Sequence, residues 1–151
     1  MRFEQVKDVL THVIAFHDQV ASDYADMAQQ TDNPRLKMLL VYLESHIRDS
    51  MKGLDGYLHG DAQQVLNTWL QNVPELEHPQ LLEHLRDRLN VASIDEVADT
   101  AEKIQETLGE MFWLLSEQAA IDSERELFAS LAYFQNAEVR RLARDTARFD
   151  S

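Results

Sequence analysis

The chain reads as an all-α protein, a four-helix bundle with one long connection between its second and third long helices, on three observations. Only four glycines and three prolines punctuate its 151 residues, too few breakers for many short elements. Apolar residues recur in steps of three and four over four long stretches, the period of a helix with one buried face. Capping residues stand at the joins between those stretches.

The first stripe, Val6, Leu10, Val13, His17, Val20, Tyr24 and Met27, predicts a helix over about 3–30. His17 is its strongly polar member. Thr31-Asp32-Asn33-Pro34 then supplies capping side chains and a proline at a first helical position, where its missing N–H costs nothing. The second helix, about 34–58, carries Leu36, Leu40, Leu43, Ile47, Ser50 and Leu54 inward, with Leu39 and Met51 widening the stripe, and ends in the region Gly53 to Gly60. Asp61 is placed to cap the next helical segment.

Residues 61–92 predict a crossover built from two short helices packed on the domain. Val65, Leu66, Trp69, Leu70 and Val73 form one, stopped by Pro74; Leu81, Leu82, Leu85 and Leu89 form the other, after Pro79. The segment is too apolar for a flexible linker. Ser93 and Glu96 have the spacing of a capping box and open a third helix, about 93–120, with Val97, Ala101, Ile104, Leu108, Met111, Phe112 and Leu115 inward. Asp122-Ser123 offers the cap of a fourth, about 123–148, with Leu127, Phe128, Leu131, Gln135, Glu138, Val139 and Leu142 inward. Sliding the chain by 88 lays Leu39, Leu40, Leu43 and Leu54 on Leu127, Phe128, Leu131 and Leu142, a hint of two related hairpins. One domain, 1–151, accounts for the whole chain.

Composition narrows the function classes. With no cysteine, disulfides, thiolate metal sites and cysteine nucleophiles are excluded, and a cytoplasmic setting is expected. Arg2, Glu4, Lys7 and Asp8 leave no apolar signal core at the N-terminus, and no apolar run reaches the ~18–20 residues of a membrane span. The 27 acidic against 14 basic residues give a net charge of −13, which repels phosphate backbones, so neither nucleic acid nor membrane is expected as a partner. Arg140, Arg141, Arg144 and Arg148 form the one basic cluster, read as cations favoured at the end of a helix. Glycine-rich phosphate loops and Gly-x-Ser-x-Gly elbows are absent. His12, His59, His78 and His84 show no ligand spacing and read as scattered surface residues. Trp69, Phe112 and Trp113 read as packing aromatics, and an exposed Trp113 would mark a partner surface.

In its helix order, its crossover, and the local runs Tyr24-Ala25-Asp26-Met27-Ala28 and Asp32-Asn33-Pro34-Arg35-Leu36-Lys37-Met38-Leu39-Leu40, the chain resembles the ferritin-like superfamily, rubrerythrin-like proteins in particular. The resemblance covers the architecture of nearly the whole chain and the sequence of about residues 17–55. It implies a bundle-core site for two iron or manganese ions, with a glutamate from each of two helices and Glu-x-x-His from each of the other two. This chain departs from that pattern. Its second and fourth long helices hold no Glu-x-x-His; the nearest phrases are His46-Ile47-Arg48-Asp49 and Gln135-Asn136-Ala137-Glu138. A gapless alignment on the leucines puts Ile47 and Ser50 at ligand positions, and counting back from Tyr24 puts His17 where the family has its glutamate.

Any surviving site would draw on His17, His46, Asp49, Glu106 and Glu138, holding iron or manganese. His17 is either such a ligand, or a proton-handling group, or a buried histidine satisfied by a neighbour and fixing helix register. Glu138 either faces the core and needs a partner, or stands at the rim after a half-turn rotation. Two functions are compatible with these residues. One is a bundle without the di-metal site, not an enzyme, that works through a homodimer or a protein partner. The other is a non-haem iron or manganese protein with a rearranged His/carboxylate site handling iron, oxygen or peroxide.

Overall fold

The computed structural model describes residues 4–60, 63–70, 87 and 92–149. It is mostly helical. The order of elements is β1 (Glu4–Gln5), α1 (Val6–Gln30), α2 (Pro34–His59), α3 (Gln63–Leu66), β2 (Trp69–Leu70), α4 (Ile94–Gln118) and α5 (Asp122–Thr146), with a 3₁₀ turn at Ala147–Phe149.

Four long helices among the described residues coincide with the four apolar stripes. α1 starts at Val6, later than the periodicity suggests, because Glu4 and Gln5 pair antiparallel with Leu70 and Trp69. The Gln5 N–H donates to Asp8 Oδ2 at 3.0 Å and closes the first turn. Asn33 caps α2, its Oδ1 accepting from the N–H groups of Arg35 at 3.0 Å and Leu36 at 3.4 Å, with Pro34 opening the helix. Ser93 Oγ caps α4 by accepting from Glu96 N–H at 3.1 Å. α5 departs from expectation: Ile121, not Asp122, stands at its N-cap, and no side chain caps it. Asp122 instead lies inside the first turn and pairs with Arg125 at 2.5 Å, where a carboxylate still meets the positive end of the helix.

The crossover is only partly within the described residues. Its first short helix is one turn, Gln63–Leu66, and Trp69 lies in β2. Thr68 Oγ1 donates to Val65 O at 2.7 Å and Val6 N–H donates to Thr68 O at 3.0 Å, so this connection is tied to the start of α1. The expected second short helix around Leu81 to Leu89 and the Asp61 cap lie outside the described residues.

α1 packs with α2 and α4 with α5 as helical hairpins. α2 and α5 run antiparallel, since Tyr42 reaches Asp145 and, a turn further along α2, His46 reaches Glu138. Two apolar clusters fill the interior. One joins Val6, Leu10 and Val13 to Leu54, Leu66, Phe112 and Phe128; the other joins Val20, Tyr24 and Met27 to Leu40, Ile47, Ile104 and Leu142. Two of the expected packing aromatics are not in either. Phe112 is 1% exposed, but Trp69 is 64% and Trp113 55% exposed, because residue 113 falls one position past the inward stripe.

Candidate functional site

Between the two apolar clusters every long helix turns polar side chains inward. α1 contributes His17, α2 His46 and Ser50, α4 Gln105, and α5 Gln135 and Glu138, all buried. The order along each helix places them together: His17 lies between Val13 and Val20, and Gln135 and Glu138 lie between Ala132 and Leu142. The result is a polar layer between the two apolar clusters.

His17 is fully buried. Its Nδ1 stands 2.8 Å from the carbonyl of Val13. A carbonyl only accepts, so Nδ1 carries the proton and Nε2 presents a lone pair. That Nε2 has no hydrogen-bond partner among the described residues. Burial pushes the imidazole pKa down, the Val13 bond partly opposes this, and the charge of His46 lowers it further.

His46 Nε2 lies 3.3 Å from Glu138 Oε2, yet it is misaligned for a hydrogen bond, so the contact is electrostatic. Burial also pushes His46 down, against the raising pull of Glu138. The other oxygen of Glu138 accepts from Arg141 Nη2 at 2.9 Å. A snorkelling arginine thus neutralises the carboxylate from the rim. Tyr42 flanks His46 with ring centroids 6.0 Å apart and donates its hydroxyl to Asp145 at 2.9 Å. Its phenol is pushed up to about 12, by burial first and then by the Asp145 bond.

Across the layer, Gln135 Nε2 donates to Gln105 Oε1 and cross-links α5 to α4, while Gln105 Nε2 has no partner among the described residues. Gln105 was invisible to the periodicity, being neighbour to Ile104 on a helix whose inward stripe is otherwise apolar or small. Glu124, in the first turn of α5, is a second buried acid that the pattern did not single out.

The five candidate ligands therefore divide. His17, His46 and Glu138 belong to the layer, and Glu138 faces the core rather than the rim. Asp49 and Glu106 are exposed. Among the described residues no three histidine and acidic side chains are placed to hold a metal ion. The layer offers two imidazoles, one carboxylate, two amides and a hydroxyl, which can accept a proton, fix helix register, or supply three donors to a single ion after rearrangement. Of the other histidines, His12 and His59 are exposed, and His78 and His84 lie outside the described residues.

Comparison of the chain with protein-family models, with curated proteins and with solved structures finds no match in any of the three. Among the described residues no helix is long and apolar enough to cross a membrane.

Proposed function

We propose that this chain is a cytoplasmic bundle of ferritin-like topology, without the two-metal chemistry of that superfamily, that acts by associating with itself. The observation that carries the reading is the donor set of the polar layer. Glu138 is its single carboxylate, and Arg141 already holds it. Two divalent ions would bring four positive charges against one negative charge in a buried setting, where uncompensated charge is costly. The layer instead suits a register-fixing role, since an imidazole, an amide pair and an ion pair match only in one alignment of the helices. Association is supported by the apolar residues left on the outside, Trp113 and Tyr133 foremost, at 55% and 75% exposed.

Elemental analysis of freshly purified protein, followed by titration with ferrous iron and with manganese, tests the first half. The expected result is no stoichiometric metal and no saturable binding. Stoichiometric metal that a His17→Ala variant loses would overturn the reading. It would favour a second one, a single iron or manganese ion on His17, His46 and Glu138 handling oxygen or peroxide. That alternative has one observation in its favour, the unpartnered lone pair of His17 Nε2.

A further inference from the structure

Arg35, Met38 and Tyr42 stand three and four residues apart in the first turns of α2. Asp145, Arg148 and Phe149 repeat that spacing where α5 passes into the 3₁₀ turn, so each set shares one face. The antiparallel run of α2 and α5 brings the two faces together around a groove of about 370 Å³, which these six residues line. That volume is at the small end of the ~300–1,000 Å³ of ligand sites, room for one ring and a short chain.

The walls of the groove are apolar. Met38 is 64% exposed and belongs to neither core cluster. Tyr42 and Phe149 pack by one side on the second cluster, with their ring centroids 5.9 Å apart. A thioether and two aromatic rings form a surface on which a further ring packs well.

Its charge favours an anion. Arg35 Nη2 donates to the carbonyl of Phe149, which holds the guanidinium across the groove from α2 to the turn. That place is adverse for a cation: the first turn of α2 carries no acid, and the helix dipole is positive there. Asp145, the acid of the lining, accepts the Tyr42 hydroxyl at 2.9 Å. That bond first, and then Arg144 and Arg148, hold its carboxyl below the ordinary value against the opposing effect of burial. Arg144 lies 3.4 Å away with its side chain 70% exposed, so it screens Asp145 only weakly. The lining thus carries two guanidinium groups against one carboxylate, a surplus of one positive charge on a chain of net charge −13. A singly charged anion balances that surplus. A dianion would add a second negative charge beside Asp145, and a cation would meet both arginines. The planar fork of a guanidinium matches a carboxylate in particular.

We propose that this groove is a binding site for a small amphipathic carboxylate, one aromatic ring on a short carboxylate arm, with Arg35 and Arg148 taking the head and Met38, Tyr42 and Phe149 the ring. It goes beyond the self-association reading and uses no residue of the polar layer.

Titration of the full chain with phenylacetate tests it, read by the NMR shift of the Met38 methyl group, which Met38→Leu assigns by its loss. Circular dichroism checks that each variant folds. The expected result is a saturable shift with a Kd on the order of 1 mM that rises with salt. Arg35→Gln and Arg148→Gln should each raise that Kd ~5–10-fold. Phenylacetamide, which keeps the ring without the charge, and acetate, which keeps the charge without the ring, should each bind at least ~5-fold more weakly. Phenyl phosphate as its dianion should bind no more tightly than phenylacetate. The absence of a saturable shift overturns the site, as does binding that both folded arginine variants leave unchanged. Phenylacetamide or acetate binding as tightly as phenylacetate overturns its amphipathic character, and tighter binding of phenyl phosphate overturns the singly charged ligand.

Discussion

Replacing His17 by leucine should flatten the pH dependence of stability on the acid side of neutrality. His17 is fully buried and its pKa is lowered, by burial above all, so the folded chain keeps the ring neutral as pH falls below the ordinary histidine value of 6.5. The unfolded chain takes up that proton. Unfolding is therefore favoured progressively from pH 6.5 downward, until the depressed folded pKa is reached, and the contribution of His17 is fully present above 6.5. With an ordinary unfolded pKa, the loss between pH 7.5 and 5.5 is at most RT ln 10, ~1.4 kcal/mol, the limit for a ring held neutral throughout. For urea slopes of ~1–3 kcal/mol/M that limit is a midpoint shift of ~0.5–1.4 M. The assay is urea unfolding of the native chain and of His17→Leu at both pH values, in chelator, taking the difference of differences so that carboxylates common to both cancel. Native protein should lose more than the variant over the interval, up to that ~1.4 kcal/mol limit. Equal losses would refute the argument, since they would mean that the ring titrates alike in the folded and unfolded chains.

Three further outcomes rest on the same geometry. Phe128→Ala, which empties a fully buried position stacked at 6.3 Å on Phe112, should cost ~3–5 kcal/mol in denaturant unfolding. Gln135→Leu alone should cost ~1–3 kcal/mol by leaving the Gln105 carbonyl buried without its donor. The double replacement Gln105→Leu/Gln135→Leu should recover most of that, a coupling that a double-mutant cycle reads directly. Asp145→Asn removes the anion that accepts the Tyr42 hydroxyl, so the Tyr42 phenol should titrate below its value of about 12, seen as the phenolate absorbance that Tyr42→Phe abolishes.

The four long helices and most of the core among the described residues were legible in the sequence because they rest on local physics. A 3.6-residue period fixes which face of α1 is buried whatever that face meets, and Asn33-Pro34 or Ser93 stop a helix by hydrogen bonds made within three residues. His17 could be read as inward for the same reason. The exposure of Trp113 and the burial of Gln105 could not. Both sit beside the stripe on α4, and whether a flanking residue is covered depends on how that helix is rotated against its neighbours, which no local pattern records. The same rotation separated the candidate ligands: Glu138 turned to the core beside His46, whereas Asp49 and Glu106 turned to water. Periodicity, being a property of one helix, determined what this protein is made of. The polar layer and its unpartnered nitrogens were decided only by tertiary packing, because each is a relation between side chains on different helices that no single stretch of sequence contains.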